Sequence, residues 1–112
     1  LEFPERHFYS SAIVGGCLPI ALGTALGIKR RSRPEKVWCF VGDMTSTTGI
    51  FHETTIYAKY HDLPIRFIVE DNGYSTNTPT RDITGYDIGH IADSYLYDRT
   101  MPHCGIGKFV HF

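Results

Sequence analysis

The stretch that most constrains this chain runs from Val37 to Asn77. Its first segment, Val37-Trp38-Cys39-Phe40-Val41, is apolar throughout and stops at Gly42-Asp43. A short run of β-branched and aromatic residues closed by a glycine reads as a buried strand. Thr45-Ser46-Thr47-Thr48 follows as a loop of small hydroxyl residues, and a helical stretch opens near Gly49. A second apolar run, Ile65-Arg66-Phe67-Ile68-Val69, ends at Glu70-Asp71-Asn72-Gly73. The unit is strand, acidic loop, helix, strand, polar loop. A crossover of that length predicts two parallel strands joined by a right-handed connection.

Such a connection delivers both polar loops to one edge of the sheet, outside which open α/β sheets bind ligands. Asp43 and Asn72, 29 positions apart, are therefore expected to come close together. One carboxylate and one amide oxygen suit a hard cation of the Mg²⁺ type, which shares its shell with phosphate oxygens and water. Asn72-Gly73 is also a common hairpin signal. A hairpin needs an alternating strand directly after it, and Ser75-Thr76-Asn77-Thr78-Pro79-Thr80 reads as loop instead. The turn is better explained as backbone bent around a ligand, with the carbonyl of Tyr74 as a third oxygen donor.

These residues also carry a resemblance. Gly42-Asp43, followed about thirty residues later by Asn72 and then Tyr74, resembles the diphosphate and Mg²⁺ motif of thiamine diphosphate enzymes. Within that superfamily, residues 50–80 look most like the alpha subunit of the first component of 2-oxoacid dehydrogenases. Gly49-Ile50-Phe51-His52-Glu53, Leu63-Pro64 and Glu70-Asp71-Asn72-Gly73-Tyr74 follow in that family's order. Upstream, FYSSAIVGGCLPIALGTALGIK resembles the same family's glycine-rich segment and small-residue helix. The match covers roughly residues 7 to 80. At two points a side chain stands where the family usually has glycine, Ala12 and Met44.

The resemblance implies an α/β thiamine diphosphate-binding fold, a mostly parallel sheet flanked by helices. The resembled fold has more strands than can be counted here, so residues 1–112 are expected to form one partial domain. The cofactors implied are thiamine diphosphate and Mg²⁺. Asp43, Asn72 and Tyr74 would hold the metal, and Ala12, Val14, Met44 and Thr45 would lie against the cofactor. Thr45 and the hydroxyls after it would be available to phosphate oxygens. The implied activity is decarboxylation of a small 2-oxoacid, in which such a cofactor does the hard chemistry while protein supplies orientation and electrostatics. The activating glutamate of the family belongs to a partner chain, so the catalytic groups are unknown here and the isolated chain is expected to be inactive. A beta-type subunit, or a second copy, would cover the binding edge. Two alternatives remain open: a transketolase- or acetohydroxyacid synthase-type thiamine enzyme, and a non-catalytic module of the same fold.

The rest of the chain limits the partners. A net charge of −1 gives no reason to expect nucleic acid or an anionic membrane. No apolar run approaches the ~20 residues that span a bilayer. Cys17, Cys39 and Cys104 show no Cys-x-x-Cys spacing, and free thiols fit a reducing cytoplasm better than a disulfide framework. Pro4 argues against an early helix, and His7 reads as a surface histidine. A helix is expected from about Leu18 to Ile28, with Pro19 tolerated in its first turn. Its many glycines and alanines lower helix propensity, so they are expected to admit a neighbouring backbone or a partner chain. The basic run Lys29–Lys36 reads as a solvated helix end and turn. From Gly49 to Tyr60 a partly apolar face is predicted, with Glu53 structural and with His52 and His61 not sharing a metal. The spacing of Ile88, Ile91, Ala92, Tyr95 and Leu96 predicts a short helix. Residues 101–107 read as a turn-rich segment, with no chemical role assigned to His103 or Cys104, and 108–112 as a terminal strand.

Overall fold

The structure, a computed structural model, describes residues 1–85 and 92–100. Its centre is a three-stranded parallel sheet of β3 (Val37–Gly42), β4 (Ile65–Asp71) and β7 (Asp93–Leu96), in the order β3-β4-β7. β3 and β4 pair in register from Val37↔Ile65 to Gly42↔Glu70. The predicted strand pair is therefore present, each strand running one or two residues past its apolar run. Cys39, Val41, Phe67 and Val69 point to the same covered face and are buried, as a two-residue side-chain period requires.

That face is covered by α1 (Cys17–Arg30) and α3 (Gly49–Tyr60), which supply Leu18, Ala25, Phe51 and Ala58 to the same core. Lys29, in the last turn of α1, donates from Nζ to the carbonyls of His61 (2.6 Å) and Asp62 (2.9 Å). A cation thereby satisfies carbonyls at the end of α3, where helices leave them without partners. The basic run is thus a helix end and turn, closed by the Arg33–Glu35 ion pair. On the opposite face of the sheet Trp38 and Phe40 are more than half exposed, although parallel sheets are ordinarily covered on both sides.

Several expectations are corrected. Residues 43–46 form a short helix, α2 (Asp43–Ser46), rather than open loop. The segment after Asn72 does contain a small hairpin: β5 (Tyr74–Ser75) pairs antiparallel with β6 (Thr78–Pro79), around Thr76 in the left-handed region. α4 (Thr80–Thr84) follows directly. Residues 93–96 are a strand rather than helix, because pairing with Ile68–Asp71 overrides the spacing of their side chains. Among the described residues no backbone approaches Gly23 or Gly27 of α1, where an added Cβ would meet nothing within 4 Å. Close approach occurs instead at Gly15, which has φ +75° and where a Cβ would lie 2.9 Å from Ile50 Cγ2. Near the start, β1 (Glu2–Phe3) and β2 (Phe8–Tyr9) form a hairpin over a 3₁₀ turn at Pro4–Arg6, with His7 exposed beyond it. The expected segments 101–107 and 108–112, with His103 and Cys104, lie outside the described residues.

Candidate functional site

Because β3 and β4 are parallel, their carboxyl ends lie at one edge, and three loops meet there. Asp43 is the first residue after β3, and Asn72 the first after β4. α3 starts from the same edge, and the loop before α1 reaches it through the approach of Gly15 to Ile50. The segments holding Ala12, Val14, Asp43, Met44, Thr45, Asn72 and Tyr74 are therefore assembled on one side of the molecule.

Asp43 is almost completely buried, with 2% of its surface exposed. A carboxylate so enclosed needs a hydrogen-bond donor. Thr80, itself buried, donates from Oγ1 to Asp43 Oδ2 at 2.6 Å. Asn72 is held from both ends of its amide. Its Oδ1 accepts from the Tyr74 N–H (2.9 Å), while its Nδ2 donates to the Tyr97 hydroxyl (3.0 Å). Asp71 shapes the same turn, its Oδ1 accepting from the Gly73 N–H at 2.8 Å. Gly73 has φ +74°, which glycine adopts without strain.

The carbonyl of Tyr74 can be placed by the hairpin pattern. Tyr74 lies opposite Pro79, which has no N–H to donate. The ladder bond is made one step outside, from the Thr80 N–H to the Gly73 carbonyl at 2.9 Å. Tyr74 and Pro79 are thus a non-hydrogen-bonded pair, in which the N–H and carbonyl of Tyr74 turn away from β6. The N–H goes to Asn72. The carbonyl is left pointing outward as an oxygen donor. Arg99 covers the ring of this tyrosine, its guanidinium carbon 5.3 Å from the ring centre.

The small hydroxyl residues are largely engaged. Ser46, Thr47 and Thr48 donate to the carbonyls of Asp43 (2.6 Å), Met44 (2.8 Å) and Thr45 (2.6 Å), three residues back in each case. Their hydroxyl hydrogens close the α2 turn and are not aimed outward, contrary to the expectation for the hydroxyls after Thr45. Thr45 and Met44 are half-buried. The Met44 sulfur lies 4.0 Å from Thr47 Oγ1, so its side chain folds back along α2. Ala12 and Val14 are exposed.

Other residues stand apart. His52 is half-buried beside Phe51, and His61 is exposed against Tyr57 and Tyr60. Among the described residues no three His, Cys, Asp or Glu side chains group to hold a metal. The donor set at the sheet edge is of another kind: a carboxylate, an amide and a backbone carbonyl, all oxygen ligands that suit a hard divalent cation. Cys17 and Cys39 are free thiols in contact. Burial first, and then Cys17, pushes the Cys39 thiol up to about 12, the mark of an inert core cysteine. Thr80 and Tyr97 escaped the sequence reading, because they reach the site from 37 and 25 residues away and no local spacing announces either.

Comparison with known proteins adds an independent finding. The family model described as dehydrogenase E1 component matches residues 3–89. The alpha subunit of acetoin:2,6-dichlorophenolindophenol oxidoreductase of Bacillus subtilis (strain 168) is 39% identical over 70 residues, which are 62% of this chain and 21% of that protein. The subunit of the same name from Cupriavidus necator is 34% identical over 87 residues, 78% of this chain and 24% of that one. The probable mitochondrial pyruvate dehydrogenase E1 component subunit alpha of Caenorhabditis elegans is 35% identical over 74 residues, 65% of this chain and 19% of its own length. The chain thus spans between 19% and 24% of the length of these curated relatives.

Proposed function

The chain belongs to the dehydrogenase E1 component family, and on that premise we propose that it is the diphosphate- and Mg²⁺-binding part of an alpha-type subunit of a thiamine diphosphate enzyme. One observation carries the reading: Asp43, the Asn72 amide and the outward carbonyl of Tyr74 stand at the carboxyl edge of one parallel sheet. In this reading residues 1–112 are part of a single binding domain. Asp43, Asn72 and Tyr74 hold Mg²⁺, which neutralises the diphosphate and fixes its place. Ala12 and Val14, on the loop before α1, flank the cofactor from one side, and Met44 and Thr45 from the other. When bound, thiamine diphosphate supplies a thiazolium ring that accepts the electron pair released as a carbon–carbon bond of a small 2-oxoacid breaks.

In this reading Asp43, Asn72 and Tyr74 bind and orient the cofactor, and no proton transfer is assigned to them. Asp43 is enclosed while the Tyr74 carbonyl turns away from β6, and in this reading a second chain supplies the other wall of the site. A beta-type partner subunit fills that role, consistent with relatives named as alpha subunits. α1 offers a surface for it, with Gly23, Thr24 and Ile20 exposed. No described helix is long and apolar enough to cross a membrane, and two free thiols suit a reducing compartment such as the cytoplasm.

The deciding experiment titrates thiamine diphosphate with and without Mg²⁺ while following the melting temperature. At 100 times the dissociation constant, ligand adds about 2.7 kcal/mol, on the order of 10 °C for a domain of this size. The gain is expected only with both ligands present, and Asp43→Asn abolishes it. Absence of any shift in the wild-type chain overturns the reading and leaves a non-catalytic module of the same fold, which the Met44 side chain beside Asp43 would favour.

A further inference from the structure

We propose that Thr80 is a positioning residue which sets both halves of the cation site at once, an inference that rests on the reading of Asp43, Asn72 and Tyr74 as ligands. Thr80 makes two contacts that bear on the site. Its hydroxyl donates to Asp43 Oδ2 at 2.6 Å, and its N–H donates to the Gly73 carbonyl at 2.9 Å. The first contact reaches the end of β3, and the second reaches the turn at the end of β4.

Each contact has a geometric consequence. An O–H···O⁻ bond of that length is of the charge-assisted kind, and it fixes the rotation of the carboxylate. With Oδ2 taken, Oδ1 is the oxygen left for a cation. On the other side, the Thr80 N–H captures the carbonyl of Gly73. That bond makes Tyr74 and Pro79 a non-hydrogen-bonded pair and turns the Tyr74 carbonyl outward. Thr80 therefore aims one donor through its side chain and a second through its backbone. It can do so because both Thr80 and Asp43 are buried to within 3% of their surface, so water does not compete for the hydroxyl.

The arrangement makes cation binding and the folding of residues 73–80 one event. A cation that pulls Asp43 Oδ1 and Tyr74 O together strengthens the clamp, and an intact clamp holds those two oxygens ready. Residues that hold a ligand from behind in this way change metal affinity about 10- to 100-fold when altered.

The test uses the full chain with thiamine diphosphate and Mn²⁺ as a paramagnetic stand-in for Mg²⁺, reading free Mn²⁺ by electron paramagnetic resonance. Thr80→Val keeps the shape and the N–H but removes the hydroxyl, and Thr80→Ser restores it. The expected result is Mn²⁺ affinity about 10- to 100-fold weaker in T80V and close to wild type in T80S. Equal affinity in T80V and wild type overturns the inference and leaves the proposed function standing. Failure of the wild-type chain to bind Mn²⁺ overturns both. A purely structural threonine would lower the melting temperature of the ligand-free T80V chain and leave its Mn²⁺ affinity unchanged, which also counts against the proposal. Should T80V not fold, hydrogen exchange of the wild-type chain decides. Slowing of the Thr80 amide by tenfold or more on adding Mn²⁺ and cofactor is the expected result, and unchanged exchange overturns it.

Discussion

Replacing Phe51 by alanine tests whether the crossover that carries Asp43 to its place is held by one side chain. Phe51 lies in the first turn of α3 and is fully buried. It packs edge-on against Phe67 of β4, with ring centres 6.0 Å apart and planes at 77°. It thus joins the helix between the two strands to the second of them, beside Leu18 and Val69. Removing a buried phenylalanine costs about 3–5 kcal/mol, of which an edge-on aromatic pair supplies roughly 0.5–1.5. A chain of 112 residues has only about 5–15 kcal/mol of stability in total. Phe51→Ala should therefore remove about a fifth of it at the least, and most of it in a marginal chain. With a urea slope near ~2 kcal/mol per molar, the midpoint falls by about 2 M. Far-UV circular dichroism during urea unfolding measures this directly. Ile56→Ala is the control, an apolar residue of the same helix that is two-thirds exposed and should change stability by less than about 0.5 kcal/mol. A Phe51→Ala cost below about 1.5 kcal/mol, or one equal to that of Ile56→Ala, would refute the assignment of the core.

Four further outcomes are expected. Gly15→Ala should cost about 1–3 kcal/mol, because φ +75° strains any side chain even after Ile50 yields; a neutral effect in thermal melts would show that the lead into α1 is looser than described. Tyr97→Phe removes the hydroxyl that accepts from Asn72 Nδ2, and Mn²⁺ affinity should fall by about threefold to tenfold, as for one neutral hydrogen bond; unchanged affinity would mean that Tyr74 alone orients the amide. At pH 8, iodoacetamide should modify Cys17 well before Cys39, whose proton is held up to about 12 against an ordinary 9.0. Because the folded value is the higher one, this thiol's contribution to stability is complete below about pH 9 and is lost as pH rises through about 12; equal labelling rates by peptide mapping would contradict its burial. The isolated chain should not decarboxylate pyruvate in the presence of thiamine diphosphate and Mg²⁺, and turnover above the cofactor background would place the missing catalytic groups within it.

The parts of the fold legible in sequence were those decided by local burial. β3 and β4 are built on apolar runs stopped by Gly42 and by the polar Glu70-Asp71-Asn72, and α3 begins at the glycine where its periodicity starts. What stayed hidden was decided by contacts between distant residues. Tyr95 and Leu96 share a helical spacing with Ile91 and Ala92, yet Glu70 and Asp71 draw them into a strand. The hairpin at 74–79 has only two residues in each arm and no alternation to reveal it. Ser46, Thr47 and Thr48 looked like phosphate donors because composition shows a hydroxyl but not where it points. Backbone carbonyls three residues away take all three, as side chains of this kind do when local carbonyls lie within reach.

The two sides of the candidate cation site differ in how they are supported. Asp43 follows directly from β3, whose Cys39 and Val41 share the core with Phe51 and Val69, and its carboxylate is enclosed. Asn72 and Tyr74 lie on a partly exposed turn held by single hydrogen bonds to Asp71 and Tyr97 and from the Thr80 N–H. Regions with few buried apolar contacts open at lower free-energy cost than a packed core. The proposed site therefore joins one rigid ligand to two adaptable ones. A cation arriving with its diphosphate would meet a fixed carboxylate first, and its binding energy would be spent in ordering the turn. Affinity would then depend on the turn, while the position of the bound diphosphate would depend on the core beneath β3. Substitutions at Thr80 or Tyr97 should accordingly change how tightly the cation is held, and substitutions at Phe51 should change how much of the chain is folded to hold it.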